Sequence, residues 1–163
     1  MAIEFLGTIG GYGFTEARFF DTLVSNGVDC FCDVRARRGM RGSEYAFLNS
    51  KRLQARLVQL GIRYLHLKDL APSSATRTAQ REEDARLGES KRGRAELGQA
   101  FKDHYCQERL AGLAVDPLLT VRLQGVTRPV FFCVERLPAA CHRSLLANAI
   151  SSSSGIPVRH LAP

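Results

Sequence analysis

The 163-residue chain lacks any uninterrupted run of about 18 apolar residues, the length that a helix needs to span a bilayer. Its first residues also lack the charged and then apolar pattern of a secretion signal. We therefore expect a cytoplasmic protein with no membrane contact. A chain of this length, with 45% apolar residues, can bury one sizeable core, so we predict a single domain over residues 1–163.

The cysteines lack the pattern of a disulfide framework. There are five of them, and in a reducing compartment such residues are free thiols or, less often, catalytic or metal-binding groups. Cys133, Cys141 and His142 would in principle converge on an ion. Cys30 and Cys32 share one face of a predicted strand. Neither spacing matches the paired C-x-x-C ligands of structural zinc, so we predict no metal site and no cofactor.

Acidic residues are nearly absent from one part of the chain. Residues 35–56 contain a single acid, Glu44, and supply most of the formal net charge of +7. A focused positive field attracts phosphate, nucleotides or nucleic acid, although ordinary exposed arginines are the alternative. Residues 77–109 instead carry nearly balanced charges, typical of a solvated surface with salt bridges. The seven basic residues of the first stretch are Arg35, Arg37, Arg38, Arg41, Lys51, Arg52 and Arg56.

Short apolar runs alternate with stretches of helical periodicity along the chain. Runs that are nearly all apolar are typical of strands buried in a parallel sheet with helices on both faces. We therefore predict a three-layer α/β fold with a mostly parallel sheet of about five strands. The predicted strands are residues 3–9, 28–34, 62–67, 129–134 and 158–161, and the predicted helices run from the Thr15 cap to Asn26, over 53–60, over 95–110 and from Pro138 to Ile150.

Two polar stretches interrupt this alternation. Residues 73–98 are rich in Ser, Thr, Arg and Glu, and their lack of apolar periodicity predicts a polar, mobile excursion over the surface without an assigned element. Residues 151–155 are serines followed by a glycine, and we predict a linker to the final strand.

Open parallel sheets bind ligands at the carboxyl ends of their strands, so these ends hold the candidate site. The first strand ends in a glycine-rich turn at residues 8–13, whose backbone amides would form an anion cradle. The turn has neither a Walker sequence nor G-x-G-x-x-G spacing, and an ordinary strand-to-helix turn is the alternative. The candidate ligand-binding residues here are Thr8, Gly10 and Tyr12.

Three charged residues complete the predicted ligand-binding set. Asp33 and Arg35 end the second strand on one side of it. We expect Arg35 to clamp an anionic group while Asp33 orients it or accepts a hydroxyl, with a structural ion bridge as the alternative. Arg143 lies near the amino end of the last helix, where the helix dipole disfavours a cation. This position favours an anion or a carboxylate, such as Glu135 or Asp33, opposite Arg143.

The candidate catalytic residues are Glu135, Cys141 and His142. Cys141 lies near a helix amino terminus beside His142, a setting that favours a nucleophilic thiolate. Its helical spacing with Leu145 and Ala149 indicates, as the alternative, a buried and inert thiol. His142 is a candidate for proton transfer, or otherwise a supporting hydrogen-bonded residue.

Taken in order, these segments resemble the bacterial and archaeal "domain of unknown function 488" family. The resemblance runs along most of the chain and is carried by the Asp33-Val34-Arg35 strand end and by a late C-x-E and C-H-R signature. That signature starts at Cys133 and ends at Arg143. The resemblance implies a small cytosolic α/β domain, and no activity is established for the family in general. This chain has Ala71-Pro72-Ser73 where the family commonly has a Leu-Gly-Gly turn, which leaves open any ligand contact through that turn.

We predict that the crevice at the strand ends binds a phosphate-bearing ligand, either a nucleotide or nucleic acid. If the protein is an enzyme, hydrolase- or transferase-type chemistry would use Glu135 or Asp33 as general base. His142 or Cys141 would then be acid or nucleophile. Two alternatives stay open: a non-enzymatic nucleic-acid-binding module that uses the basic surface of residues 35–56, and a thiol-dependent enzyme that uses Cys141. The sequence also leaves a homo-oligomer open.

Overall fold

The computed structural model describes residues 2–163, which form a five-stranded sheet in which every neighbouring pair of strands is parallel. This confirms the predicted α/β class. No helix among these residues has the length and apolar character that crossing a membrane requires. The strands are β1 (Leu6–Ile9), β2 (Cys30–Asp33), β3 (Arg63–His66), β4 (Pro129–Phe132) and β5 (Val158–Leu161), and their order across the sheet is β3-β2-β4-β1-β5.

Helices cover both faces of the sheet and give the predicted three layers. Short 3-10 turns lie at Ala46–Leu48, Lys68–Leu70 and Pro138–Ala140, and π-helical turns extend two of the helices at Cys106–Leu110 and Leu118–Arg122. The helices are α1 (Glu16–Ser25), α2 (Ser50–Gln59), α3 (Ser74–Leu87), α4 (Gln99–Tyr105), α5 (Val115–Pro117) and α6 (His142–Ser154).

Alternate residues of the central strands feed two separate cores, because successive side chains of a strand point to opposite faces. Phe31 and Phe132 pack towards α1 and α2, where Phe19 is the centre of an aromatic cluster. Cys32 and Phe131 pack on the other face, against α6. The three central strands are therefore buried on both sides, as their apolar runs predicted.

The predicted bounds of the first helix are confirmed. The Thr15 side chain accepts a hydrogen bond from the Arg18 amide at 3.2 Å and caps α1. Gly27 then adopts a positive φ of 63°, a conformation that glycine tolerates and that ends the helix.

Residues 74–87 form helix α3, whereas the sequence predicted no regular element there. The buried side of α3 carries Thr76, Gln80 and Asp84 instead of apolar residues. Hydrophobic periodicity therefore does not predict this helix. Hydrogen bonds replace apolar contact: Gln80 Nε2 donates to Asp84 Oδ1 at 2.8 Å, and the Gly98 amide donates to Gln80 Oε1 at 2.8 Å.

Three boundaries near the other helices also differ from the prediction. The helix expected from residue 95 begins only at Gln99, because Gly98 is its N-cap, and it ends in a π-helical turn. Pro138 begins a 3-10 turn, and α6 starts at His142 with Cys141 as its N-cap. The predicted serine linker is the last turn of α6, where Ser154 Oγ donates to the Ile150 carbonyl, and Gly155 ends the helix at a φ of 76°.

The turn after β1 packs directly against the chain that leaves β4. A Cβ atom added to Gly10 would overlap the main-chain carbonyl oxygen of Glu135 and would approach Arg143 Nη2 to 3.1 Å. Only a residue without a side chain allows this approach of two backbones.

We predict that Gly10→Ala lowers the free energy of unfolding by about 2 kcal/mol or more, since overpacking against backbone cannot be relieved by a rotamer change. The measurement is urea unfolding followed by circular dichroism. Gly112→Ala is the matched control, because a Cβ at Gly112 meets no atom within 4 Å. Equal stability of the two variants would contradict the close packing at Gly10.

Candidate functional site

A cavity of about 650 Å³ opens at the carboxyl ends of β2 and β4. Arg35 follows β2 and lines it, and Cys133 and Glu135 follow β4 and line it as well. Residues 36–41, helix α3, residues 91–97 and the start of α6 supply most of the remaining walls. The volume is typical of small-molecule sites, and the position is the one expected for an open parallel sheet.

The lining of this cavity is strongly basic, with eight basic and two acidic side chains. Both acids are bound by Arg94, whose Nη1 lies 2.7 Å from Asp84 Oδ2 and whose Nη2 lies 3.4 Å from Glu135 Oε1. We call this space the basic cavity, because the excess charge favours an anionic occupant. Its basic residues are Arg35, Arg37, Arg41, Arg77, Arg81, Lys91, Arg92 and Arg94.

Asp33 holds Arg35 in one orientation at the base of the cavity. Arg35 Nε and Nη2 donate to the two oxygens of the Asp33 carboxylate at 2.9 and 2.8 Å. The Arg35 amide and the Tyr64 hydroxyl donate to the same carboxylate at 3.1 and 2.8 Å. Asp33 therefore has four donors and is positioned to orient Arg35.

Two buried polar atoms at the cavity have no hydrogen-bond partner among the described residues: Arg35 Nη1 and Glu135 Oε2. Arg35 is 3% exposed and Glu135 is 6% exposed. Buried polar atoms are almost always bonded, so a pair of such atoms in the wall of one cavity is typical of a ligand site.

Cys133, Cys141 and His142 converge in the wall of the basic cavity, and we call them the Cys/His cluster. The Cys141 Sγ atom lies 3.8 Å from His142 Nδ1. His142 Nε2 lies 2.8 Å from the Val34 carbonyl oxygen, which only accepts, so Nε2 donates. This bond fixes the ring with Nδ1 towards Cys141.

Electrostatics distinguish the two thiols of the cluster. The hydrogen bond with Cys141, together with burial, raises the pKa of Cys133 well above its ordinary value. Burial opposes ionisation of Cys141, but the Cys133 thiol and the charges of His142 and Arg143 bring the pKa of Cys141 well below its ordinary value. Burial, assisted by the neighbouring Cys141, raises the pKa of Glu135. Of the two thiols, Cys141 is therefore the one whose surroundings favour the thiolate.

The structure brings five of the nine predicted site residues to the basic cavity and places the other four outside its lining. Asp33 lies outside the lining and binds the Arg35 guanidinium. Thr8 Oγ1 lies 2.7 Å from His160 Nδ1 on the neighbouring strand β5, and Gly10 packs on the Glu135 backbone. The five residues in the lining are Tyr12, Arg35, Glu135, Cys141 and His142.

The glycine-rich turn uses its amides within the protein, contrary to the expected anion cradle. The amides of Gly11 and Tyr12 both donate to the Val134 carbonyl, at 3.0 and 2.9 Å. The Gly13 amide donates to the Tyr45 hydroxyl at 3.0 Å. The turn therefore joins β1 to the chain after β4. Tyr12 is its residue in the cavity lining.

Arg143 is paired with main-chain carbonyls, and the expected carboxylate partner is absent from its contacts in residues 2–163. Its Nη1 donates to the Glu135 carbonyl at 2.7 Å, and its Nη2 donates to the Arg136 carbonyl at 3.2 Å. The side chain is 1% exposed. Arg143 therefore holds the segment after β4 in place and does not line the basic cavity.

Sequence reasoning missed five of the eight basic residues of the cavity because residues 73–98 resembled a solvated surface. One signal was available: Thr76, Gln80 and Asp84 recur every four residues and mark a polar helix face. Arg77 and Arg81 follow the same spacing one position later. The missed residues are Arg77, Arg81, Lys91, Arg92 and Arg94.

The fold and the site define a parallel three-layer α/β domain. Its strand ends carry a basic cavity, a buried Cys/His cluster and a carboxylate. The chain belongs to the family described as domain of unknown function DUF488, whose model matches residues 15–150. No curated protein and no solved structure matches the chain. The match confirms the family that the sequence motifs resembled.

We predict different effects from two arginine replacements. Arg143→Ala leaves two carbonyls without their donor and opens a cavity, so we expect the free energy of unfolding to fall by about 2–4 kcal/mol. Arg77→Ala removes a half-buried side chain with no carboxylate partner among the described residues and should change stability by less than about 1 kcal/mol. Urea unfolding measures both, and a stable Arg143→Ala variant would contradict the structural role.

Proposed function

We propose that the basic cavity binds a phosphate-bearing substrate, a nucleotide or the end of a nucleic-acid strand, and that the protein is an enzyme of hydrolase or transferase type acting on it. The observation that carries the proposal is Arg35 Nη1, a buried guanidinium nitrogen with no hydrogen-bond partner among the described residues, on a residue that lines a cavity with a large positive excess. A guanidinium fixed by a carboxylate is well suited to bind a phosphate oxygen.

Several arginines are available to neutralise a phosphate. Arg37 and Arg41 are exposed at the cavity, and neither they nor Arg77 and Arg81 form a salt bridge in residues 2–163. A phosphate that enters the cavity therefore breaks no ion pair at these four residues. This supports binding of a multiply charged anion over a neutral ligand.

Tyr12 offers a surface for the rest of a nucleotide. Its ring contacts Tyr45 edge to face, with 5.1 Å between the centroids, and the Arg92 guanidinium lies 5.1 Å from the Tyr12 centroid. Arg92 therefore joins a positive charge to an aromatic surface, and nucleobases stack on both kinds of group.

Glu135 is the better candidate for general base. Its Oε2 has no hydrogen-bond partner among the described residues, while both oxygens of Asp33 are occupied by Arg35 and Tyr64. Asp33 is left with the orienting role. In a hydrolase, Glu135 would accept the proton of an attacking water, and in a transferase that of an acceptor hydroxyl.

A thiol-dependent enzyme is the second candidate. It is supported by the geometry of Cys141, which lies at the N-cap of α6, lines the basic cavity and has His142 Nδ1 at 3.8 Å from its sulfur. In this function Cys141 would be the nucleophile. Rapid alkylation of Cys141 in the native protein at neutral pH would support this candidate, and resistance of Cys141 to alkylation until the protein unfolds would reject it.

The non-enzymatic nucleic-acid module receives less support, because residues 35–56 do not act as one free basic surface. Arg35, Arg37 and Arg41 line the cavity. Arg52 Nη2 lies 2.6 Å from Glu16 Oε2, and the Arg56 guanidinium lies 5.7 Å from the Phe20 ring centroid. The positive charge is thus divided between the cavity and helix α2.

We expect a nucleoside diphosphate or inorganic pyrophosphate to bind, and the corresponding nucleoside to bind much more weakly, because the arginines recognise phosphate. Arg77→Ala and Arg81→Ala should each reduce the affinity for pyrophosphate about tenfold, the loss of one charge-assisted contact. Titration calorimetry measures these affinities.

Arg86→Ala is the control from the same helix, because Arg86 pairs with Glu83 and is not part of the cavity lining. It removes the same charge and should leave pyrophosphate binding unchanged. The absence of binding by every phosphate probe, or equal losses in all three variants, would reject the proposed cavity function.

Salt dependence distinguishes a cavity ligand from a nucleic-acid surface. A nucleotide in the cavity contacts few phosphates, so we expect its affinity to change less than about tenfold between 50 and 200 mM salt. A module that contacts many phosphates of a strand would lose about 1,000-fold or more over the same range. Fluorescence anisotropy with a labelled nucleotide and a labelled oligonucleotide makes the comparison.

A further inference from the structure

The Cys/His cluster has the dimensions of a metal site. One potential ligand atom from each of Cys133, Cys141 and His142 lies within 4.8 Å of the other two. Cys141 Sγ and His142 Nδ1 are 3.8 Å apart. Sulfur and nitrogen ligands on a tetrahedral zinc ion, with bonds of about 2.3 and 2.0 Å, are roughly 3.6 Å apart. The separation of Cys141 and His142 therefore needs only a small side-chain adjustment to bind an ion, and the separations that involve Cys133 are at most 4.8 Å.

The hydrogen bond of His142 leaves the correct nitrogen free for a metal. Because Nε2 donates to the Val34 carbonyl at 2.8 Å, the neutral ring carries its lone pair on Nδ1, which faces Cys141. Histidine ligands of metals usually donate their other N–H to a carbonyl or carboxylate, and this bond fixes the ring.

The position of the cluster indicates an open site. All three residues line the basic cavity, so a fourth position on an ion would face that cavity. Three protein ligands with one open position are typical of catalytic zinc, whereas structural zinc has four protein ligands. Two thiolates and a zinc ion are neutral together, so the surrounding arginines would not repel the occupied site.

We propose that Cys133, Cys141 and His142 bind a divalent zinc-class ion whose open position faces the basic cavity. Sulfur and imidazole ligands favour zinc over magnesium or calcium. The ion would supply Lewis-acid activation of water, and Glu135 Oε2, unpartnered in the same cavity, would orient that water. This catalytic role rests on the proposed function, whereas metal binding itself does not.

The proposal departs from the prediction of no metal, which relied on linear spacing. Cys133 follows β4, and Cys141 and His142 begin α6 after a 3-10 turn. The turn brings these potential ligands together in space, although no C-x-x-C motif in the sequence predicts a metal site.

The first measurement is the metal content of protein purified from cells grown with added zinc. We expect stoichiometric zinc in the unchanged protein and in Cys106→Ser, which removes an exposed cysteine outside the cluster. Cys133→Ser and Cys141→Ser should each lose most of the zinc. Cobalt substitution should give the visible absorption of a tetrahedral site with thiolate ligands, and its absence would overturn the proposed geometry.

Replacement of a buried cysteine can unfold the chain, so the second measurement uses the unchanged protein. Native protein is alkylated with iodoacetamide, with and without a chelator, and the labelled cysteines are identified by mass spectrometry. Zinc should slow labelling of Cys133 and Cys141 at least tenfold and leave Cys106 unaffected. Rapid labelling of Cys141 that zinc does not change would overturn the metal site and support the thiol-dependent enzyme.

The two proposals fail separately. Zinc content is measured without any phosphate ligand, and pyrophosphate binding is measured in the chelated protein with its arginines intact. Zinc retention without pyrophosphate binding would reject the proposed function and support the metal site. Pyrophosphate binding by a chain that takes up no zinc would reject the metal site alone.

Discussion

The ion pair between Asp33 and Arg35 is the interaction on which the site depends. Asp33 is fully buried at the end of β2, where an ionised carboxylate is costly unless donors surround it. Three of its four donors belong to Arg35 and fix the backbone and side chain of that residue. The carbonyls of Val34 and Arg35 accept from His142 and His66. One segment thereby joins the guanidinium at the cavity to the Cys/His cluster.

Arg94 plays a corresponding part on the opposite wall. It is 7% exposed and bonds Asp84 of α3, Glu135 after β4 and the carbonyl of Ala140 before α6. A single buried guanidinium thus connects three parts of the wall and limits the motion of the Glu135 carboxylate. Arg94 bonds only Oε1, and the other oxygen of Glu135 has no hydrogen-bond partner among the described residues.

The sequence predicted features that depend on apolar burial and missed features that depend on polar contacts. The apolar run at residues 129–134 predicted β4, and the apolar run at 158–161 has the same bounds as β5. Helix α3 was missed because its buried face is polar. The roles of Arg35 and Arg143 also looked alike in sequence, and only the identity of their acceptors separates them. A linear pattern records a charge but not whether a carboxylate or a backbone carbonyl faces it.

The polar inner face of α3 has a consequence for how the cavity wall opens. Release of α3 would expose Thr76, Gln80 and Asp84, with no apolar side chain among its buried residues. Heat capacity rises on unfolding mainly with newly wetted hydrocarbon, so the buried side chains of α3 itself would add little to the heat-capacity change of this local event. Its equilibrium would respond to ionic strength instead, since the attraction between Asp84 and Arg94 weakens once water and counterions reach it.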